Sequence, residues 1–118
     1  MKRILLLLIV FLFGLQVYAA DKVSLVNALK SGAIVVDVRT PFEYGRGHYN
    51  GAINIPVDQI SMRHKELGKK GQNIIVYCRS GRRSEIAKNN LMQMGFTNVF
   101  NGGSLADMMS NGYLMGAK

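Results

Sequence analysis

Two short runs of apolar, mostly β-branched residues limit what this chain can become: Ala33-Ile34-Val35-Val36-Asp37-Val38 and Asn73-Ile74-Ile75-Val76-Tyr77. Neither alternates apolar with polar residues, so neither suits a sheet with one wet face. Strands of this kind need both faces covered, as in a parallel sheet. The surrounding sequence supplies the covers. Ser24 is a candidate N-cap for a short helix with Leu25, Val26 and Leu29 on one side, and Gly32 suits its end. Val57, Ile60, His64 and Leu67 fall on one helical face, closed by Gly68 and Gly71. Ser84 to Met94 reads as a helix with Ala87, Leu91 and Met94 inward and Glu85, Lys88, Asn89 and Gln93 in water. Pro41 opens a brief helix through Tyr44, and Gly45, Gly47 and Gly51 form a loop. Ala52-Ile53-Asn54-Ile55 and Asn98-Val99-Phe100 are short strands, and Gly102-Gly103 leads to a final helical segment. Strands alternating with helices predict an α/β class: one domain, a small parallel sheet, right-handed crossovers and helices on both faces.

The amino-terminal stretch does not belong to that domain. Met1-Lys2-Arg3 is basic, Ile4 to Phe13 is unbroken apolar sequence, and Val17-Tyr18-Ala19 places small residues before a cut after Ala19. Together these predict a secretory signal peptide over residues 1–19 and a domain over 20–118. The rival is a retained membrane anchor. The uncharged run Ile4–Ala20 has 17 residues, at the short end of the roughly 17–25 of a spanning helix. The exit residues favour cleavage, hence a periplasmic protein with no membrane attachment afterwards. The chain carries 15 basic and 7 acidic residues, net +8, and losing Lys2 and Arg3 leaves +6. That excess favours small anions, anionic lipid or nucleic acid, the last of these least. No basic stripe interleaved with aromatics marks a nucleic-acid surface, and Lys69-Lys70 reads as a solvated turn.

There is one cysteine, Cys78, so no internal disulfide can form. It stands at the carboxyl end of the second apolar run and opens the segment Cys78-Arg79-Ser80-Gly81-Arg82-Arg83-Ser84. A nucleophile at a strand end, a short loop and then a helix is the arrangement by which α/β folds build sites. The helix N-terminus and successive loop N–H groups favour an anion, as do Arg79, Arg82 and Arg83, so the thiolate is favoured over the thiol. Gly81 frees the loop backbone, and Ser80 offers a hydroxyl. A thiolate so placed can attack the outer sulfur of an anionic donor, hold it as a persulfide, and pass it on. A buried structural thiol is the alternative, and the polar, arginine-rich surroundings argue against it.

With these motifs in order, the chain resembles the rhodanese family over nearly all of residues 20–118. Asp37-Val38-Arg39-Thr40-Pro41-Phe42-Glu43-Tyr44 is similar to the family's first signature. Gly47-His48-Tyr49-Asn50-Gly51-Ala52-Ile53-Asn54-Ile55-Pro56 is similar to its second. The Cys78 segment resembles its active-site loop, and Asn101-Gly102-Gly103 its closing Gly-Gly. The resemblance implies a sulfurtransferase with Cys78 as the persulfide carrier and Arg79, Ser80, Gly81, Arg82 and Arg83 as the substrate-binding loop. It implies no metal and no organic cofactor. The partners implied are a small anionic donor such as thiosulfate, a thiol or cyanide-like acceptor, and in one version a protein acceptor; a monomer is expected. It recasts Asp37, Arg39 and Glu43 as a hydrogen-bonded brace, and gives neither His48 nor His64 a catalytic role. Two rivals stand beside it. Phosphatases and arsenate reductases of the same fold carry a longer loop, whereas four residues separate Cys78 from Arg83 here. A non-turnover persulfide carrier or sulfur-sensing module for a protein partner is the other. Many family members carry Trp soon after the Gly-Gly pair. Ser104-Leu105-Ala106-Asp107-Met108-Met109 has none, which bears on the pocket wall there.

Overall fold

The computed structural model describes residues 24–114, with side chains through residue 112. The expected signal peptide over 1–19 lies outside the described residues. Residues 24–30 are helical (α1), ended by Gly32 at φ +81°. Four strands follow: β1 (Ile34–Asp37), β2 (Ile53–Asn54), β3 (Ile74–Cys78) and β4 (Val99–Ser104). They form one parallel sheet in the order β2-β1-β3-β4. The other helices are α2 (Pro41–Gly45), α3 (Arg82–Gln93) and α4 (Leu105–Leu114).

Side chains alternate across a strand, so β3 divides its residues between two cores. Ile74, Val76 and Cys78 join Val36, Ile55, Leu67, Ala87, Leu91 and Phe96 on the α3 face. Ile75 and Tyr77 join Leu25, Ala28, Leu29, Val35 and Met108 on the α1 and α4 face. All five β3 residues are buried, as a strand covered on both sides must be. Each fully buried aliphatic side chain contributes about 1.5–3 kcal/mol, so the two layers hold the sheet without a disulfide.

Three boundaries differ from the sequence reading. The face Val57/Ile60/His64/Leu67 is not one helix but two 3-10 turns, Val57–Gln59 and His64–Leu67. This segment carries the chain from the edge strand β2 across β1 to the start of β3. A 3-10 turn rises further per residue than an α-helix, and Ile60 and Leu67 still bury completely. His64 packs edge-on to Phe96 at 6.3 Å. The helix expected from Ser84 starts at Arg82, directly after Gly81 at φ +91°. The last strand runs through the Gly-Gly pair to Ser104 instead of ending at Phe100. A Cβ on Gly102 would stand 2.3 Å from Met108 Sδ, so any side chain there would have to displace the buried Met108. The register between β3 and β4 shifts at this point: Val76 faces Asn101, and Tyr77 faces Gly103.

From β1 the chain first moves outward to β2, then returns to β3 on the other side. The strand order therefore reverses between β1 and β3, and in such sheets ligands bind beyond the carboxyl ends at that point. Asp37 ends one of these strands and Cys78 the other.

Candidate active site

The loop after β3 curls back over the sulfur that ends it. The Gly81 N–H donates to Cys78 Sγ at 3.0 Å, a geometry that depends on the left-handed Gly81 backbone. Ser84 Oγ lies 3.4 Å from the same sulfur. Ser84, Ala87 and Leu91 are the buried stripe of α3, so helical periodicity turns Ser84 toward the sheet. Cys78 has no exposed surface, so the loop, rather than water, stabilises its charge. Burial pushes the thiol up, but the Ser84 hydroxyl and the backbone N–H groups of Ser84, Ser80 and Gly81 outweigh it, and the net shift is down.

The predicted loop residues take different places. Arg79, Ser80 and Arg82 are exposed on the loop that follows the sulfur, and the Gly81 N–H forms the cradle. Arg83 turns aside to pair with Glu43 of α2, Nη1 to Oε1 at 2.7 Å and Nη2 to Oε2 at 2.9 Å. Glu43 holds the guanidinium in its charged form first of all, and the negative charge at Cys78 adds to that effect. Arg83 thus fastens α2 to the start of α3 while lending part of its charge to the sulfur. The hydroxyl that reaches Sγ belongs to Ser84, which the sequence reading left out of the site. Its signal was present: the stripe Ala87/Leu91/Met94, stepped back three residues, arrives at Ser84.

The expected brace is real but divided in two. Arg39 grips the Asp37 carboxylate through Nε at 2.9 and 3.0 Å and Nη2 at 2.6 Å, and donates from Nη2 to Gly47 O at 2.7 Å. The Tyr77 hydroxyl donates to Asp37 at 2.8 Å and accepts the Tyr49 N–H at 2.9 Å. Asp37 pushes the Arg39 guanidinium up from its ordinary value, and burial pushes the Tyr77 hydroxyl up. Glu43 does not join this network. It forms a capping box with Thr40 at the start of α2 and holds Arg83, and that pairing first of all brings its carboxyl down to about 2. His48 stacks on Tyr44 at 3.7 Å, and its Nδ1 lies 2.9 Å from Tyr44 O, so its ring is occupied with its own turn.

Asn101 of β4 closes the back of the site. Its Oδ1 accepts from Ser84 Oγ at 2.7 Å and from the Gly103 N–H at 2.9 Å. Its Nδ2 donates to Gly81 O at 3.0 Å and Glu85 Oε2 at 2.8 Å. The same end of the sheet borders a cleft of about 600 Å³ that includes Glu85, Lys88, Gly103, Asp107 and Asn111 in its walls. Asp107 comes from the segment that lacks Trp.

Residues 21–104 match the Rhodanese-like domain family. The thiosulfate sulfurtransferase PspE of Escherichia coli K12 is 36% identical over 104 residues, covering 87% of this chain and 88% of that protein. A sulfurtransferase of Allochromatium vinosum is 40% identical over 75 residues, covering 62% and 69%. Among solved structures, a rhodanese with anions from E. coli is 40% identical with a TM-score of 0.62, covering 64% of this chain and 91% of that one. The Rhodanese_3 like domain of an Anabaena protein reaches 0.63 at 29% identity, covering 69% and 94%. With the fold, the loop and the family match in agreement, the chain belongs to the rhodanese family.

Proposed function

We propose that this chain is a thiosulfate sulfurtransferase that carries sulfane sulfur as a persulfide on Cys78. The carrying observation is the 3.0 Å bond from the Gly81 N–H to Cys78 Sγ, at the strand end where the sheet order reverses. The Cys78 thiolate attacks the outer sulfur of thiosulfate. An Sγ–S bond forms, the donor S–S bond breaks, and sulfite leaves with the electron pair. Charge now resides on the outer sulfur. A thiol or cyanide-like acceptor attacks that sulfur, the Sγ–S bond breaks, and the thiolate returns. The loop N–H groups stabilise the anionic sulfur in place, and exposed Arg79 and Arg82 draw in the anionic donor. The related E. coli structure with anions supports an anionic donor, and the names of the two sulfurtransferase relatives support the reaction class.

Intact-mass spectrometry of the protein mixed with thiosulfate tests this. The expected result is an added mass of one sulfur atom, removed by cyanide and absent in Cys78→Ser. An unchanged mass with Cys78 still open to alkylation overturns the thiosulfate reading. It would shift weight to a carrier loaded by and discharged to a protein. Phe42 favours such a partner: it is 73% exposed on α2, beside the Glu43 that grips Arg83, with the Arg46 guanidinium 5.8 Å over its ring. We further propose export to the periplasm, from the basic start, apolar run and small-residue exit of residues 1–19.

A further inference from the structure

The Ser84 hydroxyl has one hydrogen and two acceptors within reach. Asn101 Oδ1 is at 2.7 Å and Cys78 Sγ at 3.4 Å. The orientation of the Asn101 amide is settled by its other bonds. Its nitrogen faces the acceptors Gly81 O and Glu85 Oε2, and its oxygen faces the Gly103 N–H. A 2.7 Å O–H···O contact is a full hydrogen bond, so the Ser84 hydrogen points at Asn101. The longer contact then runs the other way, with the Cys78 S–H donating to Ser84 Oγ. The three groups form a chain, S–H to O–H to O=C.

We propose that Asn101 is a positioning residue whose side-chain oxygen is the resting acceptor of the Ser84 hydroxyl, and that this hydroxyl turns to Sγ only while Sγ carries negative charge. When the thiol loses its proton to solvent, the sulfur can no longer donate and instead attracts a donor. Bonds to a charged acceptor are about twice as strong as neutral ones, so the hydroxyl leaves Asn101 for the sulfur. Asn101 Oδ1 is not orphaned, because the Gly103 N–H still donates to it at 2.9 Å. This inference rests on the reading of Cys78 as a sulfur carrier. When the Sγ–S bond forms, the charge moves to the outer sulfur, and the hydroxyl returns to Asn101. When the acceptor removes that sulfur, the hydroxyl turns back to Sγ. Asn101 thereby favours the two neutral-Sγ states, thiol and persulfide, over the bare thiolate.

The test is a double-mutant cycle read as the pH midpoint of Cys78 alkylation by iodoacetamide, in the parent, Ser84→Ala, Asn101→Ala and the double variant. The surrounding charges are retained in all four proteins: the Arg83–Glu43 pair, exposed Arg79 and Arg82, Glu85, Asp107, and the Asp37–Arg39 pair at the end of β1. Any loosening of the loop by Asn101→Ala acts in both backgrounds. Loss of the resting acceptor acts only where Ser84 has its hydroxyl. The shift produced by Asn101→Ala should therefore lie further to the acid side in the parent than in Ser84→Ala, by about half a pH unit, the size that one neutral hydrogen bond supports. Equal shifts, or a difference of opposite sign, overturn the proposal. If Asn101→Ala does not fold, the infrared S–H stretch of this single-cysteine chain decides the matter below the midpoint. It should lie at lower frequency in the parent than in Ser84→Ala, because a donating S–H bond is weakened, and equal frequencies overturn the proposal. Neither readout requires sulfur transfer. A protein that passes them but takes no sulfur from thiosulfate refutes the sulfurtransferase reading and leaves the Asn101 role intact.

Discussion

Two neighbouring strand ends hold negative charge by opposite means. At the end of β1, the Asp37 carboxylate is fully buried and met by a guanidinium at 2.6 Å, with the Tyr77 hydroxyl on its other side. At the end of β3, the Cys78 sulfur is equally buried but, among the described residues, meets no ion at contact distance. Its neighbours are the Gly81 N–H and the Ser84 hydroxyl, while Arg83 is taken up by Glu43. A full counter-ion neutralises a carboxylate and fixes it. Dipoles only moderate a charge, so the sulfur remains able to give up its electron pair. The first arrangement suits a strut and the second a nucleophile, although the two sit on adjacent strands of one sheet.

The largest effect should come from removing the nucleophile. Cys78→Ser should lower sulfur transfer by at least about a thousandfold with an unchanged circular dichroism spectrum. A loss within about tenfold would take Cys78 out of the reaction. The strut should respond in the opposite sense. Asp37→Ala leaves Arg39 buried without its partner and should cost about 3–5 kcal/mol in urea unfolding. Turnover per folded molecule should be retained. If stability held while turnover fell, Asp37 would belong with the nucleophile and the contrast would collapse. A smaller effect is expected at the rim. Arg82→Ala should raise the KM for thiosulfate by about tenfold, the equivalent of about 1.4 kcal/mol, and change the KM for a neutral donor much less. Equal losses with both donors would mean that Arg82 does not read charge.

The smallest effect concerns the clasp between the two regions. Glu43 titrates near 2 against an ordinary 4.5, so its pairing with Arg83 stabilises the fold fully above pH 4.5. That contribution is lost as the pH falls through about 2. The pair is partly exposed, so Glu43→Gln should cost no more than about 1 kcal/mol at pH 7. The gap between variant and parent should close as pH falls from 5 to 2. A gap that stays constant over this range would show that the Glu43 charge is not what joins α2 to α3.

Most of the architecture was legible because it rests on local pattern. The two apolar runs became the central strands β1 and β3, and the Ala87/Leu91 stripe became the buried face of α3. The Thr40-Pro41-Phe42-Glu43 capping box was equally readable and was passed over. The segment from Val57 to Leu67 was misjudged because 3-10 turns and an α-helix place apolar residues at similar spacing. The distance to be crossed, which chose between them, is not written in the segment. Ser84 and Asn101 stand in the quoted motifs, but their role at the sulfur was not legible there for another reason. A polar residue in a buried stripe, or before a Gly-Gly pair, has no visible partner until the strands are side by side.

The sequence by itself determined the α/β class, the placing of Cys78 at a strand end before a helix, and the chemistry open to a thiolate among arginines. These follow from periodicity and composition, which act between residues close along the chain. Only the tertiary structure decided which charges the sulfur keeps. The parallel pairing of β3 with β4 brought Asn101 to Ser84, and the return of the chain from β2 to β3 brought Glu43 to Arg83. Those contacts join residues 17 and 40 positions apart. Hydrogen bonds and ion pairs act over a few ångströms of space, whatever the separation along the chain.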